Sequence, residues 1–377
     1  TRKRLEEESR MKETILKKLS KCLFLLTCLI LFGAANADET YAFGSEGNLT
    51  ETGQCGENVY WELNRSTCTL TISGTGPMYD YSLSKESPFK SGFGWIENVV
   101  INEGVTSVGN SAFEHSASLK SVTIADSVTS IGSFAFEYDP VTEIHFGKNL
   151  KSIGTMAFAH CARLETIEFP DNVSELGDML FYNCSGLKSV KLPEKLKTLN
   201  LGVFSGAISV EKITIPKNCK QIEGVINACK MISSGIYALK AYEVAPGNAH
   251  FKVVDGVLYN AKLTRLVAYP PAKKSTSYTV NAKTIAIQEY AFANSRFLKT
   301  LTLGAKVKRV GKYAFIDASA IQKIKMKGKC PSFTSPQSNG GGDITIYCKK
   351  KYLSTYSNLK SYGTSTFGRT VTVKKSK

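Results

Sequence analysis

The most regular feature of the chain is a hydrophobic pattern that returns every 22 or 23 residues. The unit reads L-x-x-I-x-I-x-x-x-V-x-x-I-G-x-x-A-F-x-x-C, and it occupies residues 96–116, 119–139, 141–161, 164–184 and 187–207. A spacing this regular indicates a repeat architecture. The phenylalanines that close the units, including two after a gap, are Phe113, Phe136, Phe158, Phe181, Phe204, Phe292 and Phe315.

Each unit predicts a short strand followed by a turn. The L-x-x-I-x-I stretch alternates apolar and polar residues, as a strand with one buried face does. The glycine after it relieves the backbone in the turn, and the A-F segment predicts a tight turn or a single helical turn whose Phe fills the core. One unit cannot bury its own apolar edge, but a stack can. The sequence therefore predicts a repeat solenoid with a ladder of parallel strands on its concave face.

These units resemble the leucine-rich repeats of the BspA-like family of surface and secreted proteins, over roughly residues 50–350. Residues 55–61 and 70–76 look like the N-terminal hairpin cap of that family. Residues 251–259, with 266–270 beyond them, resemble its inserted β-hairpin. The resemblance implies a leucine-rich-repeat fold and a role in adhesion, aggregation or contact with host matrix proteins.

The repeat pattern divides the chain into six segments. It weakens at Leu199-Asn200, which replaces the usual I-G, and the unit from Val210 loses its A-F, so we expect a bend or two blocks joined by the inserted hairpin. Ile344–Tyr347 is predicted as the last strand and Lys349–Leu359 as a short closing helix. The segments are a signal peptide with an upstream extension of residues 1–10 (1–37), an N-terminal cap (38–92), a first block of repeats (93–232), an irregular segment with the hairpin (233–275), a second block (276–330), and a C-terminal cap with a basic tail (331–377).

The N-terminus carries the features of a secretory signal peptide. Lysines follow Met11, an apolar run of eleven residues spans 22–32, and Ala35-Asn36-Ala37 predicts cleavage before Asp38. The run falls short of the about 20 residues that a membrane-spanning helix needs. We therefore expect a secreted or cell-surface protein with no transmembrane span in the mature chain.

Positive charge is concentrated in the C-terminal third. Residues 38–260 contain 17 Lys and Arg against 25 Asp and Glu, whereas residues 261–377 contain 23 against 3. Such a surface on an exported protein favours sulfated glycans or acidic wall polymers as partners, and export disfavours nucleic acid. The basic residues that recur with the repeat, and that are predicted to form a polyanion patch, are Lys306, Lys308, Arg309, Lys312, Lys323, Lys325, Lys327 and Lys329.

A second candidate surface is the outward side of the first strand of each unit, which we call the strand face. Its residues lie between the buried positions of L-x-x-I-x-I, so they point away from the core. The strand face is polar and poor in aromatic residues, which suits an extracellular protein or glycan better than an apolar ligand. The candidate binding residues are Thr123, His145, Glu168, Lys191, Thr214, Thr302 and Lys325.

The cysteines and histidines of the sequence are predicted to have structural roles. Cys55 and Cys68, like Cys330 and Cys348, flank hairpin-like segments and are candidate disulfide pairs. Cys161 and Cys184 occupy the same position in adjacent units, which favours stacked buried thiols over a disulfide. The cysteines lack C-x-x-C spacing, and none of the four histidines has a partner at a spacing that suggests a catalytic triad. The sequence predicts no metal site, no cofactor and no enzyme. It predicts macromolecular binding through the strand face, with the polyanion patch as the alternative.

Overall fold

The computed structural model describes residues 50–82, 84–89, 94–223, 236–334, 343–356 and 370–376. The predicted signal peptide lies outside these residues. Within them the repeats form a parallel-strand solenoid of about eleven turns, spaced about 23 residues apart. Backbone hydrogen bonds between successive turns hold the stack together, as in Phe113 N–H to the Ala135 carbonyl (2.9 Å). The predicted fold class is therefore confirmed.

An antiparallel hairpin precedes the first repeat, as predicted. β1 (Thr50–Gln54), β2 (Val59–Asn64) and β3 (Thr69–Gly74) form an antiparallel meander. The short β4 (Gly76–Pro77) follows it. β3 then pairs in parallel with the first repeat strand, so the cap covers the end of the repeat ladder and β1 becomes the edge strand of that sheet.

In the first block each coil contributes a first strand to the strand face and a second strand beyond the turn. Where strands of neighbouring coils pair, first strands pair with first strands and second strands with second strands, all in parallel, and the ladders divide into several sheets. A 3-10 turn at Leu201–Phe204 replaces the usual turn where Asn200 stands in place of Gly. The strands are β5 (Asn98–Ile101), β6 (Val105–Val108), β7 (Ser121–Ile124), β8 (Ser130–Ile131), β9 (Glu143–His145), β10 (Ser152–Ile153), β11 (Thr166–Glu168), β12 (Glu175–Leu176), β13 (Ser189–Lys191), β14 (Thr198–Asn200), β15 (Lys212–Ile215), β16 (Gln221–Glu223) and β17 (Ala241–Val244).

The inserted hairpin is also present. β18 (Phe251–Val254), β19 (Val257–Asn260) and β20 (Arg265–Ala268) are antiparallel neighbours. Side chains of the hairpin are shared between two separate hydrophobic cores, with Leu258 in the first and Tyr259 in the second. The hairpin therefore joins two packed blocks.

The second block repeats the arrangement and ends with one more strand than the sequence pattern predicts. Ile344–Tyr347 was expected to be the last strand, but a further strand pairs with it in parallel. The predicted closing helix appears as a 3-10 turn at Lys350–Tyr352 and helical residues 353–356. The strands are β21 (Ser277–Thr279), β22 (Ala286–Ile287), β23 (Thr300–Leu303), β24 (Arg309–Val310), β25 (Lys323–Met326), β26 (Ser332–Phe333), β27 (Ile344–Cys348) and β28 (Val371–Lys375).

The repeating phenylalanines form a continuous stack inside the first block. Phe113, Phe136, Phe158 and Phe181 are fully buried, and neighbouring ring centroids lie 5.2 to 6.3 Å apart in nearly parallel planes. Phe89 of the cap extends the stack, at 5.4 Å from Phe113. Each ring fills the space between the two strands of its coil, which explains why the sequence keeps Phe at this position.

The repeating glycine stands where two coils approach most closely. A Cβ on Gly177 would lie 2.3 Å from the Gly154 carbonyl carbon, and one on Gly154 would lie 2.4 Å from the Ser133 nitrogen. A side chain there would force the coils apart. The glycine of the I-G pair is thus set by packing between coils as well as by the turn.

Candidate binding surfaces

The seven candidate residues of the strand face all lie on the outward side of first strands. Thr123 pairs with His145 between β7 and β9, Glu168 pairs with Lys191 between β11 and β13, and Thr302 is half-buried. Because paired residues of parallel strands point to the same side, they form one column. Thr214 and Lys325 occupy the same position on β15 and β25 and are exposed.

Ion pairs between coils neutralise part of the charge on the first block. Lys120 Nζ lies 2.7 Å from Glu97 Oε2, and Lys191 forms a salt bridge with Glu168 one coil away. The Glu168 carboxylate raises the pKa of the Lys191 ammonium through this hydrogen bond. The other coil-to-coil pairs are Asp126–Lys148, Glu165–Lys188, Glu211–Lys240 and Glu243–Lys212.

The cations of the second block have no such partners among the residues that the structure describes. Lys323 and Lys325 lie two residues apart on β25, both exposed on the strand face. Lys308 and Arg309 belong to the second-strand sheet, which is separate from that of β25. None of the eight residues of the predicted polyanion patch forms an ion pair with a described residue.

The eight cations are thus not gathered on one sheet. Lys323 and Lys325 share the strand face, and Lys327 and Lys329 follow the end of β25. Lys306 stands 23 residues before Lys329, in the same loop of the preceding coil. Lys312 comes two residues after the end of β24.

Sequence analysis missed two residues that extend the strand face. Tyr347 on β27 pairs with Lys325, and Lys374 on β28 pairs with Tyr347. β28 lies outside the repeat pattern, so no periodic signal places Lys374 beside the repeats. The alternation of Ile344 and Ile346 with Thr345 and Tyr347 is the sequence signal that could have placed Tyr347 outward, and the burial pattern of this strand agrees with it.

A partly buried ladder of aromatic and histidine side chains lies along the turns of the first block. His115, Tyr138 and His160 stack with centroid distances of 4.5 and 4.0 Å, and Tyr182 meets His160 edge-on. Burial, with a contribution from His115, lowers the pKa of the His160 imidazole to about 4. His160 is therefore neutral at physiological pH and packs in the ladder as a flat ring.

The cysteine predictions have different outcomes. Cys161 and Cys184 are buried free thiols that donate hydrogen bonds to the carbonyls of Phe136 and Phe158, which confirms the stacked thiols. The Cys55–Cys68 pairing is wrong. The two residues lie at opposite ends of the β2–β3 hairpin, about 15 Å or more apart at 3.3 Å per residue, and a disulfide needs Cα atoms within about 7 Å.

The second candidate disulfide is consistent with the fold. Cys330 and Cys348 are free thiols in the structure. Burial raises the pKa of the Tyr356 phenol, and both thiols lie close enough to add to that shift. Burial raises the pKa of Cys330 to about 11. Their pairing under oxidising conditions stays a prediction.

Two kinds of site are absent from the part of the chain that the structure describes. It contains no group of three or more His, Cys, Asp or Glu side chains placed to hold a metal ion. In the same ranges no helix has the length and apolar character needed to cross a membrane.

Comparisons with known proteins agree with this architecture. A family model described as a BspA type leucine rich repeat region matches residues 89–160, 106–233 and 269–375 in six copies. No curated protein matches the chain.

Three solved structures are similar to it. A leucine-rich repeat protein from Eubacterium ventriosum shares 22% identity, with 80% of each chain covered and a TM-score of 0.55. The pneumococcal vaccine antigen PcpA shares 20% identity, with 86% of this chain and 99% of that chain covered and a TM-score of 0.54. A leucine-rich cell surface protein from Faecalibacterium prausnitzii shares 20% identity, with 89% and 97% covered and a TM-score of 0.56. At this identity the likeness concerns the fold.

Proposed function

Since the chain belongs to the BspA-type leucine-rich repeat family, we propose that it is a non-enzymatic protein of the cell surface or extracellular space that binds a macromolecular partner through its strand face. The predicted signal peptide and the surface location printed for a similar structure support this location. The proposed binding partner is an extracellular protein of a host or of a neighbouring cell.

The observation that carries this proposal is the polar column of the strand face. Its side chains are exposed, while the buried residues beneath them fix their backbone positions. Ion pairs such as Glu168–Lys191 hold long side chains in place before a partner arrives, which lowers the entropy lost on binding. A rigid surface with alternating charge suits selective recognition of a protein of complementary charge.

Exchange of the two charges at the centre of the strand face tests this proposal. The double variant Glu168→Lys with Lys191→Glu keeps the ion pair but reverses its polarity, so the fold should survive while the local potential is inverted. We expect affinity for a partner from a panel of immobilised, purified extracellular-matrix proteins to fall by about tenfold or more, measured by biolayer interferometry.

The matched control exchanges Glu97 and Lys120, an ion pair one residue ahead of β5 and β7 at the rim of the strand face. Rim charges contribute little to affinity, so this variant should bind like the parent chain. Equal losses in both variants, or none in either, would contradict binding through the centre of the strand face. Failure of every panel member to bind the parent chain would remove host-matrix proteins as partners.

We propose polyanion binding by the basic C-terminal third as the second candidate function. The observation that favours it is a difference between the blocks: five lysines of the first block have carboxylate partners one coil away, and none of the eight cations of the predicted polyanion patch forms an ion pair with a described residue. Unpaired cations do not have to break an ion pair before they bind sulfate or carboxylate groups.

Heparin chromatography at increasing salt tests the second candidate. The chain from Asp38 onward should be retained at low salt and released at moderate salt, because screening weakens contacts between exposed charges. Replacement of Lys323, Lys325, Lys327 and Lys329 by Gln should abolish most of the retention. The control replaces four exposed lysines of the first block, Lys151, Lys197, Lys217 and Lys220, and removes the same charge. Equal elution of the two variants would reject a localised site.

A further inference from the structure

The last three strands of the strand face carry a column that alternates lysine and tyrosine. Lys325 on β25, Tyr347 on β27 and Lys374 on β28 are register partners in consecutive parallel strands. Neighbouring strands lie about 4.8 Å apart, so the two lysines stand about 10 Å apart on either side of the tyrosine. Both lysines are exposed and Tyr347 is partly exposed.

Hydroxyl groups and further positive charge surround this column. Thr302 precedes Lys325 in the same column, and Lys323, Thr345 and Thr372 form the neighbouring one. The acidic residue nearest to the column along the chain, Asp343, comes just before β27. No described carboxylate forms a salt bridge with these lysines. The surface therefore combines unpaired cations, short hydroxyl side chains and one aromatic ring.

This composition favours a glycan over a protein. Lysine is depleted in protein–protein interfaces, which are enriched in large aromatic and arginine anchors. Among the described residues of strands β25, β27 and β28, Tyr347 is the one such anchor on the strand face. A single tyrosine offers an apolar ring with a polar tip, on which the less polar side of a sugar ring can pack. Lysines on both sides can then contact acidic groups carried by that sugar or its neighbours.

We propose that Lys325, Tyr347 and Lys374 form a site for an acidic glycan, that is, an oligosaccharide bearing sulfate or carboxylate groups. Tyr347 packs against a sugar ring, and the two lysine ammonium groups contact the anionic groups that flank it. This inference rests on the second candidate function above and deepens it. It specifies the ligand class and adds two residues that lie outside the repeat pattern.

Binding of a heparin-derived octasaccharide and of polyphosphate to the chain from Asp38 onward tests the site. Both probes are polyanions, but only the first contains sugar rings. We expect Tyr347→Ala to weaken octasaccharide binding by roughly threefold to tenfold, the range of one aromatic contact, and to change polyphosphate binding by less than about twofold. Tyr347→Phe keeps the ring and should restore most of the octasaccharide affinity.

A matched pair of lysine variants tests the geometry. Lys374→Gln and Lys375→Gln remove the same charge from adjacent residues of β28, but Lys375 pairs with the buried Cys348 and so lies on the opposite side of the sheet. Lys374→Gln should weaken octasaccharide binding by about threefold or more and reduce its salt dependence, whereas Lys375→Gln should bind like the parent chain. Equal losses from the two variants would overturn the site.

The outcomes separate this inference from the function on which it rests. Should the variant with four Gln residues at 323, 325, 327 and 329 keep its heparin retention, the second candidate function fails and the site with it. Should that variant lose retention while Tyr347→Ala and Lys374→Gln do not, only the glycan site is rejected. Equal loss of octasaccharide and polyphosphate binding in Tyr347→Ala would show a general polyanion surface and reject the glycan. Unchanged thermal midpoints verify that each variant is folded.

Discussion

Phe158→Ala is expected to lower the free energy of unfolding of the first block by about 3–5 kcal/mol, the usual cost of removing a buried phenylalanine. Phe158 is fully buried, and its ring stacks on Phe136 at 5.5 Å and on Phe181 at 6.3 Å. The edge of Phe146 also contacts it, at 6.1 Å. The cavity would open in the middle of the stack, where neighbouring coils hold the surrounding backbone and collapse is hindered.

Phe204→Ala provides the matched control, because Phe204 is equally buried and Phe181 is its one ring partner among the described residues. It should cost less than Phe158→Ala by about 1–3 kcal/mol, the value of the two further aromatic pairs that Phe158 makes. Urea unfolding followed by tryptophan fluorescence measures both, since the two tryptophans, Trp61 and Trp95, precede or lie at the start of the first block. Equal urea midpoints for the two variants would show that aromatic stacking along the solenoid does not contribute to the free energy of unfolding.

The core of the solenoid could be predicted from the sequence because one period controls it. Every coil buries the same position of the repeat unit against its neighbours. The repeat therefore predicts equivalent positions for Phe136, Phe158 and Phe181, and the structure buries all three. The same reasoning placed Cys161 above Cys184, where both thiols find carbonyl acceptors. Periodicity also gave the outward column of the strand face, since strand residues alternate between the two sides.

What the sequence could not predict depends on contacts outside the period. β28 pairs with β27 through Val371 and its neighbours, although no repeat unit includes it. The predicted Cys55–Cys68 disulfide was wrong because two residues that are close along the chain were assumed to be close in space. The register of the β2–β3 hairpin separates Cys55 from Cys68. Tyr269 occupies the phenylalanine position of its coil, 5.3 Å from Phe292, without the A-F signature.

Asp139 is a further departure from the pattern, because it is a carboxyl group at the position where the next coils carry Cys161 and Cys184. It is fully buried, its Oδ1 accepts a hydrogen bond from the Ser116 backbone N–H at 2.7 Å, and its Oδ2 has no hydrogen-bond partner among the described residues. Burial raises the pKa of this carboxyl group well above its usual range, and the charges of Glu114 and Glu137 add to the shift. The fold therefore favours the neutral form of Asp139 over the ionised form.

The raised pKa of Asp139 makes the free energy of unfolding depend on pH. Below the unfolded-state pKa of about 3.9, Asp139 is protonated in both states and adds no pH dependence. As the pH rises above that value, the unfolded chain releases the proton and the folded chain retains it. Unfolding then becomes easier by up to about 1.4 kcal/mol per pH unit, until the pH reaches the folded-state pKa.

Asp139→Asn should remove this pH dependence of the free energy of unfolding, because the amide oxygen can still accept a hydrogen bond from Ser116 and the amide does not ionise. Its stability relative to the parent chain is expected to rise as the pH increases above about 4 and to level off at the folded-state pKa of Asp139, which urea unfolding at a series of pH values would measure. Asp126→Asn is the control with the opposite sign: the Asp126 carboxylate is exposed, and its hydrogen bonds with Lys148 lower its pKa, so its stabilising effect is present at neutral pH and lost on acidification. A constant difference between Asp139→Asn and the parent chain across this range would show that Asp139 is ionised inside the folded solenoid. In that case its charge would need a partner that the described residues do not supply.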